Sequence, residues 1–509
     1  MIGLDAAELT LVQRWMEEGA LPNLRRLRQR AVFAELRSPA EWLVGSPWPT
    51  FYTGTPPQEH GMYHYLIWRP ETMSTERVHP DWLPLQPFWR RLDGTGKRAV
   101  VLDVPNCYAP TPFDGIEICG WATHEALMPA ASYPLDRLAW ANASSGVPPI
   151  GREEARPLTA RESLQVRDDW LRITRQVGDL SLRLMEEETW DLFLVCFTAT
   201  HRGGHQFWDE ASLVREASAE ERQRHRNALR EIYIACDTQI GRLIERAGDA
   251  TVLVFALHGM GTNQSRVELL PEMLRRILAE AGRDRSPTVA EPGLIDRLRS
   301  MMPVRWRSRV KNNLPPAIQD RLTVYWRGHG IDWATTRAFP VFSDYAGYVR
   351  VNQRGREPAG IVEPGEESRV LLERIADGLH SFVDEDTGEP LVHSVGFREE
   401  LFPSGRMLKH LPDLIVLWTP NSAAQHRRVV SSRFGALDWP TPGHHPEGRS
   451  GNHRSKGFLF AAGDGLPRGG NVDGADVLDL APTVYALLGL RPPAEMHGRP
   501  LFVAEKAVS

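Results

Sequence analysis

The chain has 509 residues, a formal net charge of -5, 42% hydrophobic and 25% charged residues. It is long enough for one large domain with insertions or two joined domains, and its balance gives no general attraction to nucleic acid. Four scattered cysteines, Cys107, Cys119, Cys196 and Cys236, form no CxxC pair and suggest neither a disulfide framework nor a cysteine zinc site. No basic, apolar leader opens "MIGLDAAEL" and no window reaches a membrane span, so the expectation is a cytoplasmic protein without a membrane span.

In chain order, "MIGL" reads as a short first strand ending at Asp5, with few residues ahead of it. Apolar runs follow at "RAVVLDVP" (98–105), "WDLFLVCF" (190–197), "ATVLVFAL" (250–257), "DLIVLWT" (413–419) and "GFLFAAG" (457–463). Between them, 164–187 and 213–246 carry apolar residues at helical spacing among Arg and Glu. Near-continuous apolar strands alternating with helices predict an α/β fold: a mainly parallel central sheet with helices on both faces. Residues 266–340 break the rhythm with basic, proline-interrupted amphipathic segments, which predicts a helical cap insertion. A membrane-surface or lid element is the alternative for these tryptophan-bearing basic helices. Residues 348–362 alternate like a strand and turn at Gly355, predicting a small antiparallel subdomain. The resulting organisation is a first part of the core at 1–265, the cap at 266–340, and a second part with the subdomain at 341–509.

Loops at the carboxyl ends of parallel strands converge on a crevice where ligands bind. Asp5, His201 and His205 in "THRGGHQFW", His258 after "TVLVFAL", and His453 in "RSGNHRSKG" all fall near strand ends. Imidazole and carboxylate together suit zinc and its neighbours. Each residue also has a plainer reading. His201 and His205 share a direction if a helical turn forms, whereas Gly203 and Gly204 allow a loop. Asp5 fits the N-cap of a helix starting near Ala6. His258 fits a polar strand terminus with Gly259 and Gly261 making the following turn. His60, His124, His444 and His445 suit loop packing or substrate contact better than ligation.

The ordered set "GLDAAE", "WPTFYTGTPPQEHGMY", "THRGGHQFW", "LHGMG", "GNHRSKGFLFAAG" and "DVLDLAPTVYALLGLRPPAEMHGRPL" resembles the alkaline phosphatase superfamily, in its type I phosphodiesterase and nucleotide pyrophosphatase branch. The resemblance spans nearly the whole chain. It implies an alkaline phosphatase-like fold and two metal ions, usually zinc, at the strand ends. Asp5 and His258 would then belong to the site nearer the nucleophile, and His201, His205 and His453 to the other. Two positions depart from the family: His201 stands where Asp is common, and Leu257 stands where a ligand Asp precedes the strand-end His. One zinc is therefore expected, with the second site doubtful.

The family's hydroxyl nucleophile would fall on Val44, which has none; the neighbouring Ser46 sits before Pro47, as an N-cap serine does, and Thr50 or a bound water are alternatives. Arg202 and Arg454, each beside an expected ligand, would supply positive charge or make salt bridges. The implied activity is metal-dependent hydrolysis of a phosphate monoester or phosphodiester, with a small anionic ester as substrate and the cap and the loops near Tyr63 and Trp121 selecting the leaving group. A one-metal enzyme turned to group transfer or to a non-phosphate bond, and a non-catalytic binding protein, are the alternatives.

Overall fold

The computed structural model describes residues 1–502 apart from positions 80, 81, 84, 109, 124–128, 151–155, 215, 281–330 and 446. A nine-stranded sheet runs through the molecule in the order Asn471–Asp476, Val32–Arg37, Lys456–Ala462, Val252–Ala256, Ile2–Leu4, Leu192–Phe197, Ala99–Leu102, Gly115–Cys119, Ala131–Tyr133. Lys456–Ala462 and Ala131–Tyr133 pair antiparallel to their neighbours and the other contacts are parallel. The first strand, only three residues long, occupies the middle of the sheet, with Ile2 opposite Val195 on one side and Val254 on the other.

The reason the strands read as unbroken apolar runs is visible in the two cores. Val100, Leu102, Phe193, Val195, Val252 and Val254 face one side. There they meet the buried stripes of two long helices, Ala160–Glu187 and Ala219–Ala247. Ala99, Val101, Leu192, Leu194, Leu253 and Phe255 alternate with them onto the other side, against Trp48, Phe51, Leu480 and Val484. Successive side chains point to opposite faces, and both faces are covered. Each long helix opens with a reciprocal capping box, Thr159 with Glu162 and Ser218 with Glu221, which fixes its start.

The expected antiparallel subdomain is a four-stranded sheet in the order Ala338–Val341, Gly347–Val351, Leu414–Trp418, Val392–Phe397, with antiparallel pairing throughout. One expectation is corrected here: the run at 413–419 belongs to this sheet and not to the parallel series. Leu414, Val416 and Trp418 enter one core and Ile415 another, so a doubly covered antiparallel strand carries the same apolar signature as a parallel one. Of the residues expected to form the cap, helix Leu270–Ala279 packs into the subdomain core and Ala338–Val341 is one of its strands, while 281–330 lie outside the described residues. No described helix is long and apolar enough to cross a membrane.

Candidate metal centre

The centre is assembled at the carboxyl ends of the central strands. Asp5 extends its strand by donating its N–H to the Phe197 carbonyl at 3.0 Å. The chain then turns sharply through Ala6, which takes a left-handed φ of 53°, an uncommon conformation for a residue with a Cβ. The following helix begins only at Leu9 and is capped by Glu8, so Asp5 is not its N-cap. Its carboxylate is buried and engaged at both oxygens: Oδ1 accepts from Trp48 Nε1 at 2.7 Å and Oδ2 lies 2.7 Å from His201 Nδ1.

His201 and His205 sit one turn apart on helix Ala199–Phe207, which resolves the helix-or-loop alternative. The two glycines between them are packing residues. A Cβ on Gly203 would lie 2.9 Å from Ile232 Cδ1, and one on Gly204 would lie 2.6 Å from Met260 Cγ. Lacking side chains there, the helix lies close against both the Ala219–Ala247 helix and the next strand.

That strand corrects the expected turn at Gly259 and Gly261. Gly259–Thr262 pairs antiparallel with Gly451–Arg454, and Met260 stands opposite His453. A Cβ on Gly259 would meet Glu8 Oε2 at 2.4 Å, and one on Gly261 would meet Arg454 Nε at 2.4 Å, so both glycines serve close approach within a ladder. This ribbon carries His453 to the helix that bears His201 and His205. Ring centroids are 4.8 Å apart for His201 and His453, 4.9 Å for His205 and His453, 4.9 Å for His258 and His453, and 6.4 Å for His201 and His258.

One nitrogen from each of His201, His205 and His453 lies within 4.8 Å of the others, as one shared ion requires. The tautomers fit the same conclusion. His205 Nδ1 donates to the Gly451 carbonyl at 2.8 Å, and the Asp5 carboxylate holds a proton on His201 Nδ1. The two Nε2 atoms, 2.9 Å apart, then face each other with lone pairs, an arrangement that a proton or a metal cation between them stabilises. Burial, with neighbouring positive groups including His201, pushes His205 and His453 well below the ordinary imidazole range, so both remain neutral donors. His453 Nδ1 is buried with no hydrogen-bond partner among the described residues.

The other expected residues divide. Leu257, fully buried, packs with Phe255 and Trp48 in the core and offers no ligand atom. Ser46 precedes helix Pro47–Thr53 but makes no side-chain cap; its Oγ donates to the Met62 carbonyl at 2.6 Å. Thr50 lies within that helix and is bonded to His60 Nε2 at 3.0 Å. Arg202 is buried beside His201 on the helix. Arg454 gives its guanidinium to the carbonyls of His453 at 3.0 Å and Thr262 at 2.7 Å, bracing the ribbon. His60 and His444 are engaged in loop packing, and His124 lies outside the described residues.

Three contributors escaped sequence reasoning: Trp48, the Gly451 carbonyl and Asp344. A backbone acceptor leaves no sequence signal. Trp48 joins through its bond to Asp5, and Asp344, between two strands of the subdomain, through its carbonyl, which accepts from Asn452 Nδ2 at 2.9 Å while Asn452 Oδ1 holds the His453 N–H. A second gathering of ligand-type side chains, Cys107, Glu117 and Cys119, was also unforeseen. There Glu117 already accepts from Trp89 Nε1 at 3.0 Å, Arg90 Nε at 2.7 Å and Cys107 Sγ at 3.3 Å, so a guanidinium occupies the place of a cation.

Three neutral imidazoles gathered at the strand ends of an α/β sheet make a candidate metal centre. Residues 1–430 match the family model described as "Type I phosphodiesterase / nucleotide pyrophosphatase", and the chain belongs to that family. Its members' chemistry makes it a hydrolase acting on phosphate-ester-type substrates. Among solved structures it is similar to phosphonoacetate hydrolase from Sinorhizobium meliloti 1021 in complex with phosphonoacetate, with 14% identity over 96% of this chain and 94% of that one and a TM-score of 0.51. The complex of the same enzyme with phosphonoformate gives 13% identity, the same coverage and a TM-score of 0.50. Murine ectonucleotide pyrophosphatase/phosphodiesterase 5 gives 10% identity over 97% and 95% of the two chains, with a TM-score of 0.47. A comparison with curated proteins finds no match.

Proposed function

We propose that the protein hydrolyses a small anionic phosphate monoester or diester using one zinc ion held by His201, His205 and His453. The observation that carries this reading is the pair of Nε2 atoms facing each other at 2.9 Å, with His453 completing the set. Three neutral nitrogens with an open fourth position suit zinc, which supplies Lewis acidity toward a phosphoryl oxygen and lowers the pKa of an attacking hydroxyl or water.

In this reading Asp5 is a positioning residue: it sets the His201 tautomer, and Trp48 in turn fixes Asp5. Leu257 removes the carboxylate that a second ion beside Asp5 and His258 would need, so that site is not maintained. Ser46 is the candidate nucleophile on the chain, with its proton already directed to the Met62 carbonyl and its lone pairs available. Arg202 supplies fixed positive charge beside the centre. Arg454 acts through the ribbon, by holding His453. A cytoplasmic location belongs to the same reading and is supported by four buried, unpaired cysteines.

A second reading, a one-metal enzyme specialised for group transfer or a non-phosphate bond, is favoured by Leu257 and Val44, both buried apolar residues where the family carries reactive groups. A panel of chromogenic phosphate monoesters, phosphodiesters, phosphonates and sulfates separates the two. The proposal expects zinc-loaded protein to turn over a phosphate ester, and His453→Ala to lose at least about a hundredfold in kcat/KM. Preference for a sulfate or an acyl ester, or full activity in His453→Ala, contradicts it.

A further inference from the structure

Asn452, a fully buried residue, stands between two parts of the metal centre. On one side of it the Gly451 carbonyl accepts from His205 Nδ1 at 2.8 Å, and on the other comes His453. A side-chain amide costs free energy to bury unless its donors and its oxygen are matched. Here they are. Oδ1 accepts from the His453 N–H at 2.8 Å, and Nδ2 donates to the Asp344 carbonyl at 2.9 Å and to Asn263 Oδ1 at 3.2 Å.

These partners come from different parts of the fold. Asp344 lies in the turn that joins Ala338–Val341 to Gly347–Val351 of the subdomain, and Asn263 follows the ribbon strand Gly259–Thr262. The turn is clamped to the ribbon side by two further bonds: Arg449 Nη1 to Asp344 Oδ2 at 2.9 Å, and Gln264 Nε2 to the Tyr345 hydroxyl at 3.0 Å. The ribbon has only two strands. Both backbone polar groups of His453 take side-chain partners, the N–H bonding to Asn452 and the carbonyl accepting from Arg454 Nη1 at 3.0 Å. The place of this imidazole is therefore set by side chains along the ribbon, and one of them reaches the subdomain.

We propose that Asn452 is a positioning residue for the zinc centre, tying His453 to the turn at Asp344 so that the geometry around the ion depends on the subdomain. The inference rests on the one-zinc reading and adds to it a residue that touches neither ion nor substrate. Only an amide at this position both accepts from the His453 N–H and donates to the Asp344 carbonyl. Aspartate keeps the acceptor and loses both donated bonds, and alanine loses all three. Asn263 provides the contrast. It is also buried, bonds to the Arg449 carbonyl at 3.0 Å and the Ser265 N–H at 3.0 Å, and makes no bond to a ligand residue.

The test reads the ion and not turnover: the visible spectrum of the full-length protein loaded with cobalt in place of zinc, with zinc affinity measured by chelator competition. Asn452→Ala and Asn452→Asp are both expected to shift the cobalt bands and to weaken zinc binding about 10- to 100-fold. Asn263→Ala is expected to lower the thermal midpoint and leave the cobalt bands in place. Asn452→Asp, the same shape as asparagine, keeps the test open where Asn452→Ala fails to fold. Wild-type bands and affinity in either Asn452 variant overturn the positioning role, and an equal shift in Asn263→Ala overturns it in favour of a general loosening of the ribbon. A wild-type protein that binds neither cobalt nor zinc overturns the metal reading itself, and the inference with it.

Discussion

At the scale of single residues, the His201 imidazole is set from behind. Asp5 takes the proton on Nδ1, Trp48 fixes Asp5, and Nε2 is turned toward His205 and His453. Asp5→Asn keeps an acceptor for Trp48 but places an amide N–H₂ against Nδ1, which drives the proton to Nε2 and removes the donor. Zinc affinity should fall about 10- to 100-fold, measured by competition with a chromogenic chelator, with the fold intact by circular dichroism. Unchanged affinity contradicts the positioning role. Leu257 makes the opposite point, since the family's ligand position has become core. Leu257→Ala should cost about 2–5 kcal/mol in urea denaturation and leave the zinc content unchanged.

At the scale of elements, the centre depends on how closely helix Ala199–Phe207 approaches the ribbon of Gly259–Thr262 and Gly451–Arg454. Gly204→Ala directs a methyl group onto Met260, opposite His453, and should cost about 1–3 kcal/mol and weaken zinc binding as the ribbon shifts. Gly203→Ala meets Ile232 on the neighbouring helix at 2.9 Å, away from the ribbon, and should lower stability with less effect on zinc. Thermal unfolding and chelator competition on the two variants check the contrast. The glycines at 203, 204, 259 and 261 were legible as flexible punctuation, yet each is a contact surface. Sequence shows that a Cβ is missing and not what approaches the backbone where it would be.

At the scale of the whole molecule, several imidazoles outside the His201, His205 and His453 set are buried as neutral rings. Burial holds His60 at about 3, His225 at about 4 and His445 at about 3. For His60 the bonding agrees: Nδ1 accepts from the Met62 N–H and Nε2 meets Thr50 Oγ1. The unfolded chain binds these protons near pH 6.5, so their contribution is present above that pH. It is lost as pH falls toward 3 to 4, by about 1.4 kcal/mol per histidine per pH unit. Acid unfolding should therefore begin below about pH 6.5, and His60→Asn, which keeps an acceptor for Met62, should flatten the dependence of stability on pH in that window. An unchanged slope contradicts the assignment.

The same scale shows what could be read beforehand. Strand runs and the two long helices follow from periodicity, which local sequence encodes, and strand-end position gathers Asp5 and the four histidines; the grouping of His201, His205 and His453 as one set is what the family resemblance implies. Sheet membership of the 413–419 run did not, because an apolar strand covered on both faces looks alike in either sheet. The approach of Asp344 from a separate sheet was equally invisible, since it depends on packing between elements distant in the chain.

The central claim is that three imidazoles gather around one ion while Leu257 denies a second. Elemental analysis of protein purified without chelators and equilibrated with zinc tests it most directly. The account predicts about one zinc per chain, lost in His205→Ala and retained in His258→Ala. About two ions per chain, or none in the wild-type protein, contradicts it.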